Sequence, residues 1–374
     1  MTTSETITRA AGETVFLAAG GTGGHLYPAE ALAEELADRG HKTVIVTDKR
    51  GIAFRNLGDK VEIRAIPAAT FKPGIINKIK AVAAILSGIL QAAVLLKKHK
   101  PAIVVGFGGY PSFPTMFAAQ QMGFKTLIHE QNAVLGKANL HLADKAAAIA
   151  ASLRDTRGIR ERNKSKIMLT GNPVRPAIRA VRDRPYPPAG GTFEIFITGG
   201  STALTRVFNE TVPQAVKLLP DDLRARLHVV HQCRDEEAMA TAGKYRDAGV
   251  KAEIKEFFND MPERLAACHL FIGRSGASTV SEISVAGRPA IFVPYPGHAD
   301  RQQTYNAEPL AQKGGCLIIQ QEDFTPQRLA AELEKFMKNP DFLQNAAVAA
   351  KSCGQPDAVK NLADLVEKTL KGRR

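Results

Sequence analysis

Clusters of glycine followed by polar residues recur along the chain, and they carry the residue types that bind phosphate. Gly20-Gly21-Thr22-Gly23-Gly24-His25 lies between an apolar run and a helix-length segment. Exposed backbone N–H groups and the positive end of a helix there favour an anion or a close polar ligand. The G-x-G-x-x-G spacing of dinucleotide sites is not met, because counting from Gly21 and Gly23 its last position falls on Leu26. A lone histidine usually packs or caps, but His25 follows four glycines at the carboxyl end of a predicted strand and reads as a site residue. Gly106-Phe107-Gly108-Gly109-Tyr110 and His129-Glu130-Gln131-Asn132 each follow a further apolar run. In a doubly wound sheet all three loops line one crevice.

In the second half, Arg274-Ser275-Gly276-Ala277-Ser278-Thr279-Val280-Ser281-Glu282 follows another apolar run and opens a helix. Taken alone, a hydroxyl followed three residues later by Glu is a plain N-cap. The same small residues at a helix N-terminus can also bind a diphosphate, with Glu282 one turn in to take two ribose hydroxyls. His298-Ala299-Asp300-Arg301-Gln302-Gln303 puts a second polar loop beside it, which favours a nucleotide pocket over two caps. There is no D-x-D, and no His or carboxylate pair has metal-ligand spacing, so neither metal nor cofactor is assigned.

The elements that hold these loops are short apolar runs alternating with helix-length segments, the pattern of βαβ units and a parallel α/β sheet. Predicted strands are 14–19, 43–47, 103–105, 126–129, 194–198, 270–272 and 290–293, with a helix opening near Pro28 and ending at Gly40. The pattern restarts at Glu194 and runs into Gly199-Gly200-Ser201, which fits two doubly wound domains in tandem. Arg175 to Gly191, rich in Arg, Pro and Gly, is the predicted linker. A length of 374 residues suits two domains, and 44% hydrophobic with 23% charged residues excludes disorder or a multispan membrane protein. Four scattered cysteines make no disulfide framework, and the polar start from Met1 to Glu13 lacks a signal peptide's apolar stretch. A cytoplasmic protein is expected.

Charge is uneven. Residues 1–180 hold 25 basic and 13 acidic residues, whereas 181–374 hold 25 and 24, so the partner that wants positive charge belongs to the first half. Ala81 to Leu96 is apolar nearly all round and is bracketed by Lys72, Lys78 and Lys80 before it and Lys97, Lys98 and Lys100 after it. This apolar core falls short of the roughly 20 residues that cross a bilayer. Two readings stay open: a crossover helix buried on the sheet, or a helix lying in an anionic membrane surface, each on a different face if both hold. Nucleic acid is not an expected partner, because the basic balance comes without the aromatic residues such a surface interleaves: no Trp and 6 Tyr.

The stretches GGTGGHLYPA (20–29), GFGGYPSFP (106–114), HEQNAVLGKAN (129–139), GNPVR (171–175), RSGASTVSE (274–282) and HADRQQTYNA (298–307) run through both halves. In these the chain resembles the MurG family of bacterial peptidoglycan glycosyltransferases, family 28. The resemblance implies the GT-B fold, two doubly wound Rossmann-like domains facing a central cleft. Residues 1–174 with a C-terminal helix at about 356–374 would form the acceptor and membrane-facing domain, and 175–355 the UDP-sugar domain. It implies donor contacts from Thr22, Gly23, Gly24 and Asn132 of the first domain. From the second, Arg175 and Ser201 would face the diphosphate, Ala277, Ser278 and Thr279 give the helix N-terminus, and Glu282 hold the ribose. Phe258 would back the uracil and Gln303 read the sugar. Gly108, Gly109, Tyr110 and Glu130 fall on the acceptor side. One stretch departs from the family: Gly199-Gly200-Ser201-Thr202-Ala203-Leu204-Thr205 lacks its later glycine and is one residue longer.

The implied reaction passes N-acetylglucosamine from UDP-N-acetylglucosamine to the 4-hydroxyl of the muramyl sugar of lipid I, with inversion and without metal. His25 is the candidate general base, since an unperturbed imidazole titrates near pH 6.5. The implied place is the cytoplasmic face of the inner membrane, attached peripherally. No protein partner is assigned. The alternative is another GT-B enzyme that glycosylates a membrane lipid from a UDP-sugar.

Overall fold

The computed structural model describes residues 12–20, 23–51, 61–70, 73–188, 190–200 and 205–372. The chain divides into two compact units, one of residues 1–131, 135–173 and 357–374, the other of 132–134 and 174–356.

In the first unit β1 (Thr14–Ala18), α1 (Gly23–Asp38), β2 (Lys42–Thr47), β3 (Val61–Ala65), α2 (Ile75–His99), β4 (Ile103–Gly106), α3 (Ser112–Gln121), β5 (Thr126–Glu130), α4 (Lys137–Leu142), β6 (Ala148–Ala151) and β7 (Ile167–Leu169) follow one another. The strands form one parallel sheet in the order β3-β2-β1-β4-β5-β6-β7. Alternation along β1 sends Val15 and Leu17 to one face and Phe16 and Ala18 to the other, each into its own core. α1 opens at Gly23, five residues before the expected Pro28, which therefore lies inside the helix.

The second unit holds α5 (Pro176–Val181), β8 (Phe193–Thr198), α6 (Arg206–Lys217), α7 (Asp221–Arg224), β9 (Leu227–Gln232), α8 (Asp235–Asp247), β10 (Lys251–Lys255), α9 (Met261–Ala267), β11 (Leu270–Gly273), α10 (Ala277–Ala286), β12 (Ala290–Phe292), α11 (Gln302–Gln312), β13 (Cys316–Ile318), α12 (Pro326–Lys338) and α13 (Pro340–Cys353). Its parallel sheet runs β10-β9-β8-β11-β12-β13. The predicted linker is part of this unit. α5 lies within it, Ile178 and Val181 are fully buried in the core, and Tyr186 Oη donates to the His269 carbonyl at 2.6 Å.

α14 (Ala358–Lys371) packs on the first unit. Leu362, Ala363, Leu365 and Val366 enter the core that holds Val15 and Leu17. Arg39, in the turn just after α1, donates to Asp364 at 2.6 Å and Glu367 at 3.3 Å, and Lys125 Nζ reaches the carbonyls of Thr369 and Leu370 at 3.1 Å, where a cation suits a helix end.

The lysine-flanked segment has two faces. α2 spans 25 residues, longer than its apolar core, and is long and apolar enough by length and composition to cross a membrane. One face is bound to the protein: Ala81, Gly88, Ala92 and Leu96 are buried, and a Cβ at Gly88 would stand 2.1 Å from the Pro67 carbonyl oxygen. Along the other face Ile75, Ile79, Val82, Leu86, Leu90 and Val94 are exposed, from 46% at Val82 to 77% at Ile75. Their spacing of three and four residues makes one continuous stripe.

Candidate active site

Each sheet reverses its strand order between its first strand and its fourth. That is the switch point where the loops on either side diverge and leave room for a ligand. In the first unit it pairs the loop after β1 with the loop after β4, and in the second the loop after β8 with the loop after β11. The glycine clusters found in the sequence occupy these loops.

In the first unit His25 stands in the first turn of α1, with its ring against two glycines. Cβ atoms built at Gly20 and Gly109 would lie 3.2 and 3.0 Å from its Cδ2, close enough that a side chain at either position would press on the ring. Gly108 and Gly109 both take left-handed backbone, with φ of 76° and 71°, which turns the chain sharply enough to bring the Phe107 carbonyl to the histidine. His25 Nδ1 bonds that carbonyl at 2.9 Å. Gly24 is exposed, and a Cβ there would meet nothing within 4 Å among the described residues, so their packing does not require a glycine.

Beside this turn Tyr110, expected on the acceptor side, joins Asp48 and Arg50 in a cluster whose arginine sequence reasoning missed. Asp48, after β2, accepts from Arg50 Nε at 3.0 Å and from its terminal nitrogen at 2.8 Å. Arg50 also donates to the Tyr110 hydroxyl, and its guanidinium lies 5.3 Å from the centre of that ring. Burial raises the Tyr110 pKa, so the phenol stays protonated and can donate to Asp48 Oδ2, 3.4 Å away. The sequence signal was Asp-Lys-Arg-Gly following a strand. Glu130, expected on the acceptor side, is 2% exposed and accepts from Gly136 N and Asn139 Nδ2, both at 2.9 Å. Its carboxylate braces the loop after β5. Thr22 lies outside the described residues.

In the second unit Glu282 stands on α10 with its side chain 13% exposed. Burial raises its pKa, and Arg175 opposes the shift. Arg175, expected on a diphosphate, gives Nε at 3.1 Å and a terminal nitrogen at 3.0 Å to Glu282 Oε1. Oε2 takes neither of these bonds. Ala277, Ser278 and Thr279 form the first turn of α10, all partly exposed. Arg274 turns away into the core: it donates to the carbonyls of Val293 and Pro294 at 3.0 and 3.2 Å and to Gln321 at 2.7 Å, and burial lowers its pKa to about 10. Ser201 and the departing residues up to Leu204 lie outside the described residues.

Gln303, 7% exposed, accepts at Oε1 from Tyr295 N at 2.9 Å. Asn132 was expected as a first-domain contact, yet Asn132 to Val134 group with the second unit. Asn306 on α11 explains the grouping. Its Oδ1 accepts from Ala133 N at 2.8 Å, and its Nδ2 donates to Asn132 Oδ1 at 3.2 Å and Ser275 O at 3.1 Å. Phe258 is a core residue, edge-on to Phe196 at 5.5 Å, with Lys255 and Arg264 near its ring. Its ring offers little surface to a base, whereas its neighbour Phe257 is 67% exposed.

The two sheets with glycine loops at their switch points define the GT-B class of glycosyltransferases. The model of the glycosyltransferase family 28 N-terminal domain matches residues 15–151, and that of the family 28 C-terminal domain matches 194–362. The chain belongs to glycosyltransferase family 28. It is 51% identical over 354 residues, 94% of this chain and 93% of the relative, to the UDP-N-acetylglucosamine--N-acetylmuramyl-(pentapeptide) pyrophosphoryl-undecaprenol N-acetylglucosamine transferase of Rhodospirillum centenum. It is 47% identical over 366 residues to the protein of the same name from Chelativorans, covering 97% of this chain and 96% of that one. Among solved structures, MurG of Acinetobacter baumannii matches with a TM-score of 0.76 and 32% identity, over 95% of this chain and 99% of the other.

Proposed function

We propose that this chain transfers N-acetylglucosamine from UDP-N-acetylglucosamine to the 4-hydroxyl of the muramyl sugar of undecaprenyl-pyrophosphoryl-MurNAc-pentapeptide, with inversion at the anomeric carbon. Donor and acceptor are those in the relatives' names. The observation that carries the reading is the setting of His25, a part-buried imidazole held by its Nδ1 beside two glycines at the switch point of the first sheet.

The chemistry is a single displacement. The acceptor oxygen bonds to C1 of the sugar as the bond from C1 to the diphosphate oxygen breaks, and UDP leaves with the electron pair. His25 Nε2 takes the hydroxyl proton. Charge growing on the diphosphate meets the N-terminal N–H groups of α10, from Ala277 to Thr279, and the Arg175 guanidinium. Glu282 holds the ribose and Gln303 the sugar. Gly108, Gly109 and Tyr110 receive the acceptor's diphosphate, with Arg50 beside them as a further cation. No step uses a metal ion.

The acceptor's polyprenyl tail stays in the bilayer, so the enzyme works at the membrane surface on the cytoplasmic side. The exposed stripe of α2 is the means of attachment, with Lys78 and Lys80 at one end and Lys97 and Lys98 at the other meeting anionic head groups. Its opposite face is packed on the protein, which supports lying on the surface over spanning it. The test is a transfer assay with UDP-N-acetylglucosamine and a short-chain analogue of the lipid acceptor, in excess EDTA. Transfer is expected; its failure with and without added divalent metal sinks the assigned activity.

A further inference from the structure

A general base must present an unprotonated nitrogen, and a neutral imidazole has two tautomers. In the first unit the hydrogen bonds around His25 decide between them. The Phe107 carbonyl can only accept, so the 2.9 Å bond from His25 Nδ1 places the proton on Nδ1 and the lone pair on Nε2. The same carbonyl takes a second bond at 2.9 Å from Gln131 Nε2. Gln131 is 2% exposed, and its other N–H points to His129 Nδ1 at 3.1 Å.

His129 fixes the direction of that bond. Its Nε2 lies 3.1 Å from the Gly171 carbonyl, which again can only accept, so the single proton of neutral His129 sits on Nε2 and Nδ1 is an acceptor. Burial keeps the ring neutral, with its pKa lowered to about 4. Gln131 therefore cannot turn its amide round without setting two oxygens against each other at Phe107 and losing the bond to His129. Its Oε1 is buried with no partner among the described residues, so the two N–H bonds are what hold the amide in this orientation.

We propose that Gln131 is a positioning residue for the base: held by His129, it fixes the Phe107 carbonyl and so keeps His25 in the Nδ1–H tautomer with Nε2 open to the acceptor hydroxyl. The carbonyl needs a second hold because the two residues after it are left-handed glycines, with no side chains to set the peptide plane. The catalytic half of this inference rests on the reading of His25 as the base; the tautomer does not.

The experiment is long-range 1H–15N correlation on the full chain labelled at histidine, with steady-state kinetics on the same samples. Wild-type His25 is expected to be protonated at Nδ1 alone. In Gln131→Met, which keeps the length and removes both donors, His25 should show a mixture of tautomers, and kcat should fall about 10- to 100-fold, the scale of a small misplacement, with the KM for UDP-N-acetylglucosamine unchanged. A wild-type His25 protonated at Nε2 overturns the proposal without any variant. So does a Gln131→Met protein that keeps the Nδ1–H tautomer, and Gln131→Leu gives the same reading if the methionine variant does not fold. A mixed tautomer with undiminished kcat overturns the base assignment instead.

Discussion

Replacing two leucines on the open face of α2 by glutamate, Leu86→Glu with Leu90→Glu, should detach the protein from lipid while leaving its fold intact. Leu86 and Leu90 are 55% and 68% exposed, so neither contributes much to the core. Full burial of a leucine is worth about 2 kcal/mol, and burying only the exposed portions in lipid recovers about 1 kcal/mol each. The pair supplies about 2 to 3 kcal/mol, or roughly 50-fold in partitioning, before the cost of two new carboxylates near anionic lipid is added. Sedimentation with vesicles of phosphatidylglycerol and phosphatidylethanolamine reads the loss directly. Salt separates the two parts of the attraction. Replacing Lys78, Lys80, Lys97 and Lys98 by Gln should weaken binding at low salt, where each lysine is worth about 1 kcal/mol, and matter little at high salt. The leucine effect should persist at both. A double-glutamate variant that sediments like wild type refutes the membrane role of this face, as does wild-type protein that stays in solution at low salt.

Three further outcomes are expected. Glu282→Ala should weaken UDP binding about tenfold or more in a calorimetric titration, since a hydrogen bond to a charged group is worth roughly 1.5 to 3 kcal/mol; unchanged affinity would return Glu282 to a helix-cap role. His25→Ala should lower kcat about 100-fold with UDP affinity kept, whereas a loss of only a few fold would pass the proton to another group. The first unit should lose stability on acidification. His129 takes a proton near pH 6.5 when unfolded but only near 4 when folded, so its contribution is whole above 6.5 and falls by about 3 kcal/mol as the pH drops to 4. Urea midpoints across that range should show the decline, and His129→Asn should flatten it.

Much of the site was legible because strand ends and glycine loops are local features. β1, β4, β8 and β11 are runs of buried apolar residues, and the loops at their carboxyl ends hold the motifs. β3 and β10 were not legible, since Val61–Ala65 and Lys251–Lys255 are half polar and only the sheet beside them makes them strands. The linker reading failed because Arg, Pro and Gly mark irregular backbone without saying whether it is packed, and Ile178 and Val181 were the overlooked apolar anchors. Pro28 misled because proline favours a first helical turn, whereas here it lies inside α1 despite the backbone hydrogen bond it cannot make. The amides Gln131 and Asn306 could not be found by composition. Their roles depend on long-range partners, the Phe107 carbonyl for one and Ala133 and Ser275 for the other.

The return of α14 to the first unit has a consequence for how the protein is made. The core beneath Val15 and Leu17 lacks Leu362, Ala363, Leu365 and Val366 until residues 357–374 leave the ribosome. At ordinary rates of translation the residues between 173 and 357 take roughly ten to forty seconds to synthesise. During that interval one face of the first sheet is uncovered beside α1, and the apolar stripe of α2 is already in the chain. The nascent first unit therefore offers two sticky surfaces at once. One is closed by α14; the other, the stripe on α2, stays exposed in the folded unit.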